Sequence, residues 1–254
     1  MIFLLLRILP FVIPIIYFLN VRLLFYFNGY WLWFLALILI INTGYFWLLN
    51  LKTKDKNIVY LYVHSVVFAV VGFVYSLFLG HTLFINLFIT FWAFIYLIYL
   101  ESAFHYFYRS KKIYLVDLKK IVPYINLIVF FIASATLYNF YIFLNLSWWW
   151  VLLTGLLVSY ILVFVDFTIQ GFKLSISWQY SLIISLILLE ILVALLYVSV
   201  SLYVSAIIMA ITYYLLVSFS AMSITKELNR ARILQYSAFA ILTLIIVLST
   251  ATWI

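Results

Sequence analysis

Cysteine is absent from this chain of 254 residues. That excludes disulfides, thiolate metal sites and cysteine nucleophiles. Charge is scarce as well: 8% of the residues are charged, and Asp and Glu together number six. A water-soluble domain carries about a quarter charged residues. No long polar stretch compensates, since the longest loop covers roughly residues 105–120. No soluble domain is therefore expected, and we read residues 1–254 as one transmembrane domain. Histidine is limited to three residues.

What the chain has is apolar surface. Hydrophobic residues make up 70% of it, and the mean hydropathy is +1.31. A globular core of this size still exposes much of its chain and cannot hide that fraction. The composition fits an integral membrane protein, whose spans need about 20 apolar residues each. Continuous apolar runs give nine candidate spans, at roughly 2–20, 31–50, 58–79, 83–104, 121–143, 149–169, 178–198, 202–224 and 233–252. Runs of that length exclude a barrel, whose strands alternate over about ten residues. The fold class is all-α, a polytopic helix bundle. Span 1 is the one that Arg7, Pro10 and Pro14 interrupt. It has no A-x-A-like cleavage site, so it reads as a retained span, with an interfacial or re-entrant segment as the alternative.

The net charge of +8 invites a nucleic-acid reading, but the cations are dispersed. They follow spans 2, 4, 6 and 8, at Lys52 to Lys56, Arg109 to Lys120, Lys173, and Lys226 to Arg232. With Arg7 included, all Lys and Arg residues but Arg22 fall on one side. The positive-inside rule makes that side, and the N-terminus, cytoplasmic. The charge is topology information, so no nucleic-acid partner is expected. The expected partner is the lipid bilayer, with another membrane protein or a second copy left open. The expected location is a cell membrane, the plasma membrane of a bacterium or archaeon. Trp31, Trp33, Trp148, Trp149, Trp150 and Trp253 lie at predicted span ends, where indoles anchor helices at the headgroups. A stacked aromatic site is the alternative for the Trp148–Trp150 run. The stretch from Ile113 to Lys120 suits a short interfacial helix.

Ionisable residues inside spans need a reason, because charge in hydrocarbon costs about 2.5 kcal/mol or more at the centre. In span 4, Asn86, Thr90, Ala93, Leu97, Glu101 and His105 form one stripe at about 100° per residue. That stripe is expected to face other helices, with Glu101 and His105 touching as an i,i+4 pair. Counted from the span 3–4 turn, His64 and Glu101 lie at matching depths, about 24 and 28 Å at 1.5 Å per residue. In span 6, Gly155, Ser159, Leu162 and Asp166 share a face, and its small residues favour close helix packing. Lys173 is the nearest cation for Asp166.

His64, Glu101, His105 and Asp166 thus form a candidate inner-layer cluster. Imidazoles and carboxylates suit metals. The spacing matches neither H-E-x-x-H nor the E-x-x-H of di-iron bundles, so no metal or cofactor is assigned. Glu190 stands apart near the middle of span 7, opposite Ser177, Ser181 and Ser185. It is expected either to stay protonated and hydrogen-bond a Ser, Thr or Tyr, or to border a hydrated cavity. Span 8 carries a small polar stripe at Ser205, Thr212, Ser220 and Ser223.

Several signatures are missing. Spans 7 to 9 have no retinal-type Lys, and the chain has no Gly-x-Ser-Gly, paired Asp motif or adjacent Glu residues. No internal repeat supports an inverted-repeat transporter. Three functional classes follow. The first is a carrier-like or accessory membrane component using an intramembrane carboxylate, with Glu190 central and Glu101 and Asp166 as further substrate or proton relays. The second is a membrane-embedded enzyme with a His/Glu/Asp site at the cytoplasmic layer. The third is a structural or partner-binding subunit.

Overall fold

A computed structural model describes residues 2–53, 57–108, 118–198 and 200–250. The regular elements among them are nine α-helices and one 3-10 turn. The helices are α1 (Ile2–Leu24), α2 (Trp31–Thr53), α3 (Asn57–Ser76), α4 (Thr82–Tyr108), α5 (Leu118–Phe143), α6 (Trp148–Gln170), α7 (Leu174–Leu196), α8 (Leu202–Ile224) and α9 (Arg230–Thr250). All nine are long and apolar enough to cross a membrane. The protein is a multi-pass helical membrane protein.

The expected spans reappear with shifted ends: most are longer, while α3 stops at Ser76 and α7 at Leu196, short of the expected 79 and 198. Helix α5 begins at Leu118 and α7 at Leu174. Helix formation continues past the apolar run because backbone hydrogen bonds do not depend on side-chain polarity. Of the expected interfacial helix, residues 118–120 open α5 and residues 113–117 lie outside the described residues. Trp253 lies outside them too. Helix α1 is continuous through Pro10 and Pro14. Prolines are tolerated in membrane helices where neighbouring groups re-satisfy the freed carbonyls. Trp31, Trp33, Trp148, Trp149 and Trp150 are all exposed at helix starts, as headgroup anchors would be.

The chain divides into two compact units, residues 1–125 and 126–254. In the first unit α1 packs on α4 and α2, α2 on α3, and α3 on α4, closing a ring of four helices. Aromatic side chains fill it. Phe68 stacks on Trp92 at 4.5 Å and on Tyr96 at 5.0 Å, and Trp92 stacks on Phe88 at 5.4 Å. Their polar ends are tied off. The Trp92 indole donates to Phe68 O at 3.2 Å, Tyr99 to Leu61 O at 2.8 Å and Tyr17 to Ala69 O at 3.3 Å. The backbone approaches closely at Gly72, where a Cβ would stand 2.0 Å from the Trp92 Nε1.

This packing corrects the expectation for span 4. The buried face of α4 carries Ile89, Trp92, Tyr96, Tyr99 and Ala103. Asn86 and Thr90 are exposed. Thr90 satisfies its own hydroxyl by donating to Asn86 O at 2.7 Å, so polarity alone does not force it inward. Bulky aromatics gain more from a packed interior.

In the second unit α6 packs on α7, α7 on α8, and α8 on α9. Small residues set the first contact. Gly155 and Ser159 of α6 and Ser177, Ser181 and Ser185 of α7 are all buried. The hydroxyls of Ser159 and Ser181 return to their own helix, donating to Gly155 O at 2.8 Å and Ser177 O at 2.6 Å. The stripe is a packing surface, as small residues provide in membranes. Helix α6 ends in a left-handed Gly171 (φ 93°), and Phe172 N–H reaches back to Phe167 O at 3.1 Å. Helix α9 differs from the rest: only 6% of its span is buried.

Candidate functional site

The sequence-predicted residues distribute over both units. His64, Glu101 and His105 belong to the first, Asp166 and Glu190 to the second.

In the first unit His64 is fully buried and packs against Tyr99, with ring centroids 4.8 Å apart. Glu101 and His105 form the expected pair, Nε2 to Oε1 at 2.8 Å, at the end of α4. One polar knot was not anticipated. Asn42 Oδ1 accepts from Ser65 Oγ at 2.8 Å and from Tyr96 OH at 2.5 Å, so one amide joins α2, α3 and α4. All three residues are buried. This is interhelical glue. Reading only ionisable residues passes over an amide of this kind.

In the second unit Asp166 lies on the packed face of α6, as its spacing predicts, and is 1% exposed. Its Oδ1 accepts from Gln170 Nε2 at 2.9 Å, one turn further along the helix. Its Oδ2 is buried with no hydrogen-bond partner among the described residues. The expected cation, Lys173, is not its partner. Among the described residues the ion pairs are Glu101–His105 and Glu227–Arg232. Lys173 instead stands as the residue before the first turn of α7. Two further side chains stand by. Asn126 of α5 donates to Leu162 O at 3.1 Å, one turn from Asp166. Tyr213 of α8 neighbours both Asn126 and Asp166 and stacks on Phe130 at 4.5 Å. Asp166 thus sits where α5, α6 and α8 meet. Asn126 and Tyr213 were legible only as span residues, with no spacing that singled them out.

Gln170 connects that carboxyl to open space. It lines a groove of about 610 Å³ bounded by α6, α8 and α9, at the end where Lys226, Arg230 and Arg232 lie. That volume is in the range of small-molecule sites. The groove wall carries the Glu227–Arg232 ion pair, Thr225 and Gln235, with Tyr214 and Phe239 on its apolar side. A second open groove of about 340 Å³ shares Tyr214 and Phe239 and is otherwise lined by Thr243 and by apolar residues such as Leu127, Ile128 and Ile211.

Glu190 points the other way. It is exposed on α7, with no hydrogen bond or ion pair among the described residues, and it lines neither groove. Gln179 and Tyr197 are exposed on the same strip, within about 20° of Glu190 at 100° per residue. Among the described residues no three His, Asp or Glu side chains gather as metal ligands would.

Comparison with protein-family models, curated proteins and solved structures finds no match.

Proposed function

We propose that this protein is a carrier-like membrane component whose working carboxylate is Asp166. One observation carries the reading. Asp166 is buried with Oδ2 unpartnered, while Oδ1 is held by Gln170, a residue that lines the large groove. A buried carboxylate lacking its full set of partners is costly. Its presence one turn, about 6 Å, behind a groove wall is accounted for if it exchanges a proton or meets a polar solute there. Gln170 bridges the carboxyl to the groove wall, and Asn126 of α5 and Tyr213 of α8 lie near it. The groove opens at the cationic end, which the positive-inside rule assigns to the cytoplasm.

Asp166→Asn tests this. The amide is nearly the same shape and cannot release a proton. In proteoliposomes with a trapped pH dye and an imposed potential, the variant is expected to fold, insert and lose proton movement. Proton flux equal to that of the native chain refutes the reading.

A second reading has its own support. Glu190, Gln179 and Tyr197 form an outward strip on a membrane helix. Exposed polar groups at that depth suit a partner helix that supplies donors. The chain then acts as an accessory subunit.

A further inference from the structure

The groove and the second, apolar groove behind it have the shape of an amphiphile, and we infer that they bind a single-chain lipid with an anionic phosphate headgroup. The inference deepens the proposed site by naming its ligand class, and it does not require Asp166 to move a proton.

The two grooves are continuous in their lining. Tyr214 of α8 and Phe239 of α9 border both. Tyr214 also stacks on Tyr236 at 5.6 Å. These rings hold α9 to α8 at the junction and leave space on either side. Toward the helix ends the space is polar, with Gln170, Thr225, Glu227, Arg232 and Gln235. Toward the membrane interior it is lined by Leu127, Ile128, Phe131, Ile207 and Ile211. The Thr243 hydroxyl there is turned back to Phe239 O at 2.8 Å. Water in such a groove finds no partners, and an apolar filler is favoured. At 340 Å³ the apolar groove has the volume of about eleven liquid waters, enough for one chain.

The sign of the headgroup follows from the mouth. Arg232 lines it against one carboxylate, Glu227, and the exposed Lys226 and Arg230 flank these lining residues in the chain. Arg232 is engaged by Glu227, but both are more than half exposed. An exposed pair of that kind contributes little. A phosphate offers Arg232 a bidentate partner with more charge than the single Nη1–Oε2 contact to Glu227. Entry needs no separate gate. The apolar space is an open groove lined by α5, α8 and α9. Helix α9 is almost wholly exposed, with Leu234, Ile241, Leu242, Ile245 and Ile246 facing outward, so a chain enters this slot from the bilayer.

The test uses the full chain in a neutral detergent and native mass spectrometry, with lysophosphatidylglycerol and lysophosphatidylcholine of equal chain length as probes. The native chain is expected to retain one lysophosphatidylglycerol at a concentration about fivefold lower than lysophosphatidylcholine. Replacing Arg230 and Arg232 together by Gln is expected to equalise the two. Filling the slot by Thr243→Trp, on the least buried helix, is expected to weaken both about tenfold. Ile211→Phe serves as a second slot variant and is expected to act in the same direction.

Equal binding of the two lipids by the native chain overturns the inference. So does undiminished lysophosphatidylglycerol binding in both slot variants, which would place the headgroup on the basic loop alone. Competition by glycerol phosphate as strong as by the lipid assigns the site to a free phosphate, and tighter retention of two-chain phosphatidylglycerol removes the single-chain assignment. The proton-flux result for Asp166→Asn is a separate readout. Lipid binding with the expected variant pattern stands even where that flux is unchanged.

Discussion

Substituting Ala for Gly72 adds one methyl group at the tightest point of the first unit. The new Cβ would stand 2.0 Å from Trp92 Nε1 and 2.4 Å from Cδ1 and Cε2, far inside van der Waals contact. Trp92 has little room to yield. It is fully buried, stacked on Phe68 at 4.5 Å and on Phe88 at 5.4 Å, and tied to Phe68 O at 3.2 Å. Overpacking of a filled core costs about 1–3 kcal/mol. Pulling the indole from Phe68 O leaves a buried N–H unsatisfied, at about 1–3 kcal/mol more. Displaced stacking adds about 0.5–1.5 kcal/mol. The terms overlap, because one ring shift relieves the clash and breaks the other contacts together. We expect a loss of about 2–5 kcal/mol. Gly44 is the internal control, a helical glycine with nothing within 4 Å of its added Cβ. Gly44→Ala is expected to be neutral or to stabilise by about 0.5–1 kcal/mol. The assay is equilibrium unfolding of the purified chain by SDS in mixed micelles, followed by far-ultraviolet circular dichroism. The double variant Gly72→Ala/Trp92→Phe removes the part of the ring that the methyl group strikes. Its loss should fall short of the sum of the single losses by at least about 1 kcal/mol. A Gly72→Ala variant within about 0.5 kcal/mol of the native chain, or strict additivity in the double variant, refutes the close-approach argument.

The orientation is open to the same kind of direct check, because the chain holds no native cysteine. A Cys placed at residue 80 or 146 is expected to react with an impermeant maleimide added to intact cells, and one at residue 173 or 228 is expected not to; the reverse pattern inverts the topology. Gly171→Ala forces a side chain into a left-handed φ of 93° at a cost of about 1–2 kcal/mol, and it disturbs the adjacent Gln170; unfolding equilibria report the loss, and an unchanged stability would show that the turn relaxes freely. Glu190→Leu removes an unpartnered carboxyl from the outer face of α7, so the isolated chain is expected to be at least as stable as the native one. If the accessory-subunit reading holds, native mass spectrometry in mild detergent shows the same variant losing an associated chain, whereas destabilisation of the isolated chain by more than about 1 kcal/mol would place Glu190 inside a contact.

Span number and the cationic end were legible because both depend on quantities summed over many residues. Twenty apolar side chains cannot be mistaken for a loop, and the Lys and Arg residues after α2, α4, α6 and α8 add up whatever each one touches. Short-range pairs were legible too: helix periodicity alone brings His105 to Glu101, at 2.8 Å. The groove was not legible, since it gathers Gln170 of α6, the end of α8 and the start of α9, and no local pattern encodes how three helix ends are spaced. The Asn42 knot was missed for a related reason. Its partners, Ser65 and Tyr96, lie 23 and 54 residues away in the chain.

Glu190 and Asp166 illustrate how depth and direction compete as evidence. Glu190 invites a functional reading because of its depth, near the middle of its span, where charge is most costly. Its direction argues the opposite. It sits about 180° from Ser181, in the middle of the Ser177, Ser181 and Ser185 stripe. Small residues mark the face along which membrane helices approach one another, and that stripe is fully buried. The residue opposite a contact face must look away from the contact. On α6 the same rule works in the other sense. Asp166 shares the face of Gly155 and Ser159, so the small residues that draw the neighbouring helix close also enclose the carboxyl. Both orientations follow from one premise, that small-residue stripes rather than charges choose the packed face. Depth then adds a second distinction. Asp166 lies one turn from the end of α6, close enough for Gln170 to link it with the groove. A carboxyl enclosed at mid-span has no such route. The position nearer the helix end, less conspicuous by hydropathy, is the one that joins enclosure to a bonded neighbour on the groove wall, and the proposed relay rests on those two properties together.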